Sequence, residues 1–217
     1  FTYDIYNCGT DVEVGAGAPL NPGIDGIYED IRKYGSGTSL YGKNNNANEF
    51  DKGAYLRVGY ADNCNWVSFM RFPLSVIPED RIATSVKLSV TVCDDLEISS
   101  SQVLKVYGGF TTAALGDAIT YGNKTFENLT AEGKFAGSYT LSKGSYTSGT
   151  VLEIDITDYV AGLIEKGAES ADLALAMPER DVNDPWLINF YNVTRYTLGD
   201  NALKYKPHIT VNTKIDN

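Results

Sequence analysis

The feature that most constrains this chain is a period of two in its apolar residues, repeated along much of its length. At 68–74, Ser68, Met70, Phe72 and Leu74 alternate with Phe69, Arg71 and Pro73. At 87–92, Leu88, Val90 and Val92 alternate with Lys87, Ser89 and Thr91. VLKVYG at 103–108, TVLEIDI at 150–156, DLALAM at 172–177, WLINFY at 186–191 and HITVN at 208–212 continue the pattern. Successive side chains on extended backbone point to opposite faces, so alternation of this kind spells strands with one buried face. Short strands separated by Gly, Asn, Ser and Pro turns predict an all-β fold, a two-sheet antiparallel β-sandwich of jelly-roll-like form. Its interior should hold Met70, Phe72, Leu74, Leu88, Val90, Val92, Ile154, Ile156, Leu173, Leu175, Ile209 and Val211.

One segment carries the helical period instead. Val160, Leu163 and Ile164 share a face, Asp158 stands where a cap belongs and Gly167 where a helix stops. One short helix crossing an end of the sandwich is expected. The 217 residues suit a single module, and 43% apolar residues supply its core. Residues 1–24 are rich in Gly, Pro and Asn and read as a lead-in loop, with a strand near 11–15. Residues 34–42 read as turn material followed by a short strand, and 43–52 as an exposed loop insertion.

Charge narrows the partners. A net charge of −10 opposes nucleic-acid binding, which needs Lys and Arg to displace phosphate counterions. No apolar run is long enough to span a bilayer, so no membrane partner is expected. Phe1 opens the chain without a signal peptide, as it would after processing or excision. Cys8, Cys64 and Cys93 are odd in number and lack metal-ligand spacing; three unpaired thiols are expected, with one disulfide and a free thiol as the alternative.

Enzymatic chemistry has one foothold. The stretch 153–158, GluIleAspIleThrAsp, is similar to the E-x-D-x-x-E signature of jelly-roll retaining glycosidases. Glu153 and Asp155 would share a strand face, and paired carboxylates can divide nucleophile and acid roles. The third acid is Asp158, a residue shorter than Glu and already placed as the helix cap. No catalytic residue is therefore expected, and a glycosidase using Glu153 and Asp155 stands as an alternative. His208, the one histidine, lies in a strand pattern, and no G-x-S-x-G elbow accompanies it.

Sugar binding needs exposed rings to stack on pyranose faces, ringed by hydrogen-bonding groups. Two stretches supply them: 60–66, with Tyr60 and Trp66, and 181–191, with Trp186 and Tyr191, each placing a tryptophan beside Asn and Asp. Arg71 and Phe69, on the outward phase of their strand, would floor a groove. Pro185 stiffens the chain before Trp186, which takes priority; alternation puts Trp186 and Tyr191 on opposite faces unless a bend intervenes. Asp181, Asn183 and Asp184 bring three side-chain oxygens together and could hold a structural Ca²⁺, although such Asx-rich turns also serve to satisfy backbone groups.

Several of these segments together resemble a known family. ValSerPheMetArgPheProLeuSerValIlePro (67–78) resembles the "aylrFdLs-ip" strand of the disaggregatase-related, or DNRLRE, domain family. IleAlaThrSerValLysLeuSerValThrVal (82–92) is similar to the "I-sAkLrLyv" strand that follows it. AspGlyIleTyr (25–28) and TyrGlySerGlyThrSerLeu (34–40) resemble the opening "DayV … nyGs … L-v". LeuGluIleAspIleThrAspTyrVal (152–160) resembles "w-DvTd-V", AspLeuAlaLeuAlaMet (172–177) the "f-L" strand, and LysProHisIleThrVal (206–211) the closing "kPrLtV". The resemblance covers about 25–213, in order.

It implies a jelly-roll-like sandwich of secreted and cell-wall proteins, found beside glycoside hydrolases, polysaccharide lyases and cellulosome-type components. With the aromatic loops, it leads to the expectation of a non-catalytic carbohydrate-binding module. Such a module would hold a covalently linked enzyme or scaffold on plant-cell-wall polysaccharide. The acidic surface favours a neutral β-glycan such as xyloglucan, glucan or xylan over pectin or alginate. The alternative from another class is a structural or adhesive spacer, which an outward face without aligned aromatics would favour.

Overall fold

A computed structural model of the chain describes residues 1–6, 30–34, 37–40, 55–61, 64–66, 68–108, 134–179, 181, 183–184, 186–191 and 202–216. The strands form where the alternation is strict, and every pairing among the described residues is antiparallel. One sheet runs β1 (Thr2–Tyr6), β15 (His208–Ile215), β7 (Arg81–Thr91), β12 (Val151–Asp155). A second runs β10 (Lys134–Leu141), β9 (Gln102–Gly108), β13 (Ser170–Ala176), β6 (Ser68–Pro73). A third runs β14 (Trp186–Tyr191), β4 (Tyr55–Ala61), β5 (Cys64–Trp66), β2 (Asp30–Tyr34), β3 (Gly37–Leu40), and β11 (Gly144–Tyr146) pairs with β8 (Leu96–Ile98). The third sheet joins the end of the first through a bridge between Val92 and Phe190, with the Cys93 N–H donating to the Asn189 carbonyl at 2.8 Å.

The all-β sandwich expected from the alternation is the fold observed, and all twelve residues expected inside are buried. They belong to one apolar cluster in which Leu88 and Val90 of the first sheet meet Met70 and Phe72 of the second and Leu56, Val58, Ile188 and Phe190 of the third. Withdrawing such a side chain from water contributes about 1.5–3 kcal/mol, so a core of this size offsets the ordering of many short strands. At one edge the sheets approach closely. β10 shifts register between Phe135 and Gly137, and a Cβ on Gly137 would lie 2.2 Å from the Asp155 carbonyl oxygen.

Helix α1 (Thr157–Glu165) spans the expected segment, but its start differs. Asp158 is not the cap: it lies in the first turn, and the capping position is Ile156, which makes no side-chain cap bond. Ile156 is fully buried and its N–H donates to the Val86 carbonyl at 3.0 Å, so the core and β7 start the helix two residues earlier. Asp155 takes the role instead, accepting the Thr157 N–H at 2.9 Å and the Thr157 hydroxyl at 2.6 Å. The stop is as expected. Gly167 has φ +67, its N–H reaches the Ile164 carbonyl at 2.9 Å and the Ala168 N–H reaches Leu163 at 3.0 Å. This is the paired bond pattern that satisfies the last carbonyls of a helix, and its left-handed residue favours glycine.

Three further differences follow from local chemistry. The lead-in is not all loop, because Thr2–Tyr6 pair with β15 in register from Thr2–Asn212 to Tyr6–His208. Tyr34, expected in a turn, ends β2, while the short strand expected after it is present as β3, paired antiparallel with β2. A second, one-turn helix, α2 (Ala202–Tyr205), precedes β15. The expected strand near 11–15 and the insertion at 43–52 lie outside the described residues.

The two chain ends lie together. Ile215 pairs with Arg81 at the start of β7, the Phe1 amino group donates to the Thr213 carbonyl at 3.1 Å, and the Asp216 N–H donates to the Asp80 carbonyl at 3.0 Å.

Candidate functional site

The far end of β7 gathers aromatic and hydrogen-bonding side chains from several elements. Beyond Thr91 the chain passes Val92 and Cys93 to Asp94 and Asp95, while a turn at 147–150 leads into β12. In that turn the Thr150 N–H donates to the Thr147 carbonyl at 3.1 Å, and its third residue, Gly149, has φ +91, which a side chain would strain. A Cβ there would also approach the Tyr205 hydroxyl to 3.2 Å. The turn projects Ser148, whose N–H donates to Asp95 Oδ1 at 2.8 Å and whose hydroxyl bonds the Tyr191 hydroxyl at 3.0 Å. Tyr191 stacks on Tyr205 of α2, centroids 5.0 Å apart and planes within 14°. Tyr205 is half-buried, and the Lys204 ammonium lies 5.7 Å from its ring centroid, within reach of the ring's negative face.

Asn189, two residues before Tyr191 on the same strand face, donates Nδ2–H to Asp94 Oδ2 at 3.0 Å. Its Oδ1 is buried with no hydrogen-bond partner among the described residues. Leaving such an acceptor unpaired costs about 1–3 kcal/mol. Four segments thus bring a stacked ring pair beside Asp94, Asp95, Ser148 and Asn189. Flat apolar faces bordered by hydrogen-bonding edges suit a ligand whose C–H faces are apolar and whose rim is hydroxylated.

Of the residues singled out in the sequence, Tyr191 belongs to this group. Trp186 and Tyr60 are brought together elsewhere, directly opposite each other across β14 and β4. Trp186 starts a strand rather than sitting in a turn, in phase with Ile188 and Phe190, and packs partly buried against the core. The β14–β4 ladder runs from Trp186–Tyr60 to Tyr191–Tyr55 without a register shift, so no bend brings Trp186 round to Tyr191. Trp66 ends β5 opposite Gly59, and Phe69 pairs with Ala174; their side chains lie outside the described residues. Arg71 is held by Asp172, through Nε at 2.6 Å and Nη2 at 2.7 Å, and neighbouring Ala174 is fully buried. Cys93 is buried, while Cys8 and the side chain of Cys64 lie outside the described residues.

No family model matches this chain, and no curated protein matches it.

Sequence reasoning missed Tyr205, Ser148, Asn189, Asp94 and Asp95. The available signal was the Asp94–Asp95 doublet just after a long strand, an acidic pair at the mouth of a turn. Nothing local marks Tyr205, whose partner is fourteen positions away.

The acids considered for metal binding or catalysis are engaged locally. Asp181 Oδ1 accepts the Asn183 N–H at 2.9 Å, and Asp184 Oδ2 accepts the hydroxyls of Ser99 and, at 3.1 Å, Ser100. Among the described residues no group of three or more His, Cys, Asp or Glu side chains is placed to hold a metal ion. Glu153 and Asp155 share the outward face of β12, as alternation requires, and both are exposed. Glu153 lies 3.9 Å from Lys87. His208 Nδ1 bonds the Lys206 carbonyl at 2.8 Å.

The Thr157 hydroxyl and N–H, assisted by Lys87, hold the Asp155 carboxyl below its ordinary value of 3.8. A depressed folded value means that the contribution is present above the unfolded pKa and is lost as pH falls through the folded one. Thr157→Val should return Asp155 toward its ordinary value in a carboxyl ¹³C titration. The stability gap between the variant and the parent should close as the pH is lowered below about 4. An unmoved Asp155 titration counts against the bond.

Proposed function

We propose that the protein is a non-catalytic carbohydrate-binding module that holds a linked enzyme or scaffold on plant-cell-wall polysaccharide outside the cell, as the DNRLRE resemblance implies. The observation that carries this reading is the Tyr191–Tyr205 stack flanked by Asp94, Asp95, Ser148 and Asn189. The net charge of −10 favours a neutral β-glycan over pectin or alginate. The non-catalytic part is supported by the open exposure of Glu153 and Asp155 and by the bonds that Asp155 makes to Thr157.

The test is affinity electrophoresis and calorimetry against xyloglucan, mixed-linkage glucan, xylan, cellulose and polygalacturonate. A neutral glycan is expected to retard the protein. Losing a stacked ring at a binding hot spot costs on the order of 2 kcal/mol, and roughly 1.4 kcal/mol is tenfold in affinity. Tyr205→Ala should therefore weaken binding at least tenfold. Trp186→Ala should leave affinity intact and lower the melting temperature, because that ring packs on the core; the reverse pattern moves the site to Trp186 and Tyr60. Running calcium chloride against EDTA tests a structural Ca²⁺ at Asp181, Asn183 and Asp184, which should raise the melting temperature.

A spacer is the second reading, and one observation favours it. The outward face of the first sheet carries Asp4, Thr210, Lys87 and Asp155 in one row and Tyr6, His208, Ser89 and Glu153 in the next, so Tyr6 is the single aromatic position in these two rows and no aromatics align. Failure of every glycan to bind decides for the spacer.

A further inference from the structure

Asp94 and Asp95 lie beside the ring pair with half of each carboxylate unused. Asp94 binds Asn189 through Oδ2 and Asp95 binds Ser148 through Oδ1. Their second oxygens have no hydrogen-bond partner among the described residues. These are acceptors without a proton to give, so they suit a ligand that offers donors. A neutral sugar offers hydroxyl hydrogens along its ring edge. A uronate brings a third carboxylate to two already adjacent, and like charges at that range repel. Lys204 is the cation placed at the ring pair; it is exposed and engages the Tyr205 ring, so it offsets two carboxylates only in part.

The buried, unpaired Asn189 Oδ1 in the same cluster points the same way. Asn189 spends its Nδ2 on orienting Asp94 while its own acceptor stays unsatisfied. A core under selection for stability alone would not keep that arrangement, whereas a site that must aim a carboxylate would.

Resting on the reading of the Tyr205 ring as a glycan platform, we infer that Asp94 and Asp95 set the selectivity of this site. They accept the hydroxyls of a neutral glycan and turn away uronate polymers. The role is separable from the stacking, because it resides in charge and acceptor count rather than in ring area.

The experiment uses the double variant Asp94→Asn/Asp95→Asn on the full chain, with the neutral glycan that the parent binds best and with polygalacturonate. Each Asn keeps one oxygen to accept from Asn189 or Ser148, and the melting temperature checks that the fold is kept. Expected is at least a tenfold loss on the neutral glycan together with binding to polygalacturonate that the parent lacks. The control Glu165→Gln/Glu169→Gln makes the same change in net charge on exposed residues far from the rings, and should behave as the parent on both polymers. If Tyr205→Ala loses the neutral glycan but the Asp94/Asp95 variant keeps it, the selectivity role falls and the module reading stands. If the control behaves like the Asp94/Asp95 variant, overall charge does the selecting and the inference falls. If the parent binds none of the polymers, both fall together.

Discussion

Phe72→Ala should lower the melting temperature by about 6–20 °C, from a loss of about 3–5 kcal/mol at 2–4 °C per kcal/mol for a chain of this size. Phe72 lies on the inward phase of β6, has no exposed surface and is among the largest fully buried side chains. Its cross-strand partner is Ala171, also buried, so the residue directly opposite is too small to fill the space the ring leaves. Met70 and Leu173 are held by the same two strands and cannot move in without breaking the register that pairs them. The upper part of the range is expected for that reason. Thermal unfolding followed by circular dichroism measures it, and a shift under about 2 °C would mean that the site collapses freely or that Phe72 is not core.

A second large effect comes from adding a single methyl group. Gly137→Ala places a Cβ against the Asp155 carbonyl oxygen at 2.2 Å and against Ile156 Cγ2 at 3.1 Å. A rotamer change cannot relieve the first contact, because the obstacle is backbone. Either β10 or the end of β12 must shift, and the end of β12 carries the Asp155–Thr157 bonds that open α1. Overpacking of this kind costs about 1–3 kcal/mol and sometimes more, so a fall of roughly 2–12 °C is expected. Gly162→Ala is the matched control. It makes the same chemical change inside α1, where a Cβ meets nothing within 4 Å, and should stabilise by about 0.5–1 kcal/mol through helix propensity. The two changes should have opposite signs. If both raise the melting temperature, the close approach of β10 to β12 is wrong.

The contrast between those glycines shows what the sequence could and could not reveal. β6, β7, β12, β13 and β15 were legible because each buries one face, and a half-buried strand writes its geometry into alternate residues. β10 was not, because its bulge near Ala136 breaks the alternation at the point where the sheets draw together. β1 was hidden by its Gly- and Pro-rich continuation. At the start of α1 the local reading chose Asp158, an acceptable cap by type, whereas the buried Ile156 fixed the phase and left Asp155 to do the work. The ring pair was half legible. Tyr191 stands out beside a tryptophan in an aromatic strand, but Tyr205 becomes its partner only because α2 delivers it across the end of the first sheet. Stacking between residues on different elements leaves no periodic trace in either of them.

The placement of the chain ends has a practical consequence for avidity. Phe1 and Ile215 lie at the Arg81 end of β7, and the ring pair lies past its other end, an eleven-residue strand away, on the order of 30 Å. A tag or a surface linkage at either terminus therefore leaves the Tyr205 pole facing outward, and immobilisation through one end or the other should return the same affinity. Two copies fused head to tail would be joined base to base, so that they could stand side by side with both poles toward one surface. If the ring pair binds glycan as proposed, the second copy would bind at an effective concentration set by the linker, and a weak single contact would become a durable hold on an extended polymer.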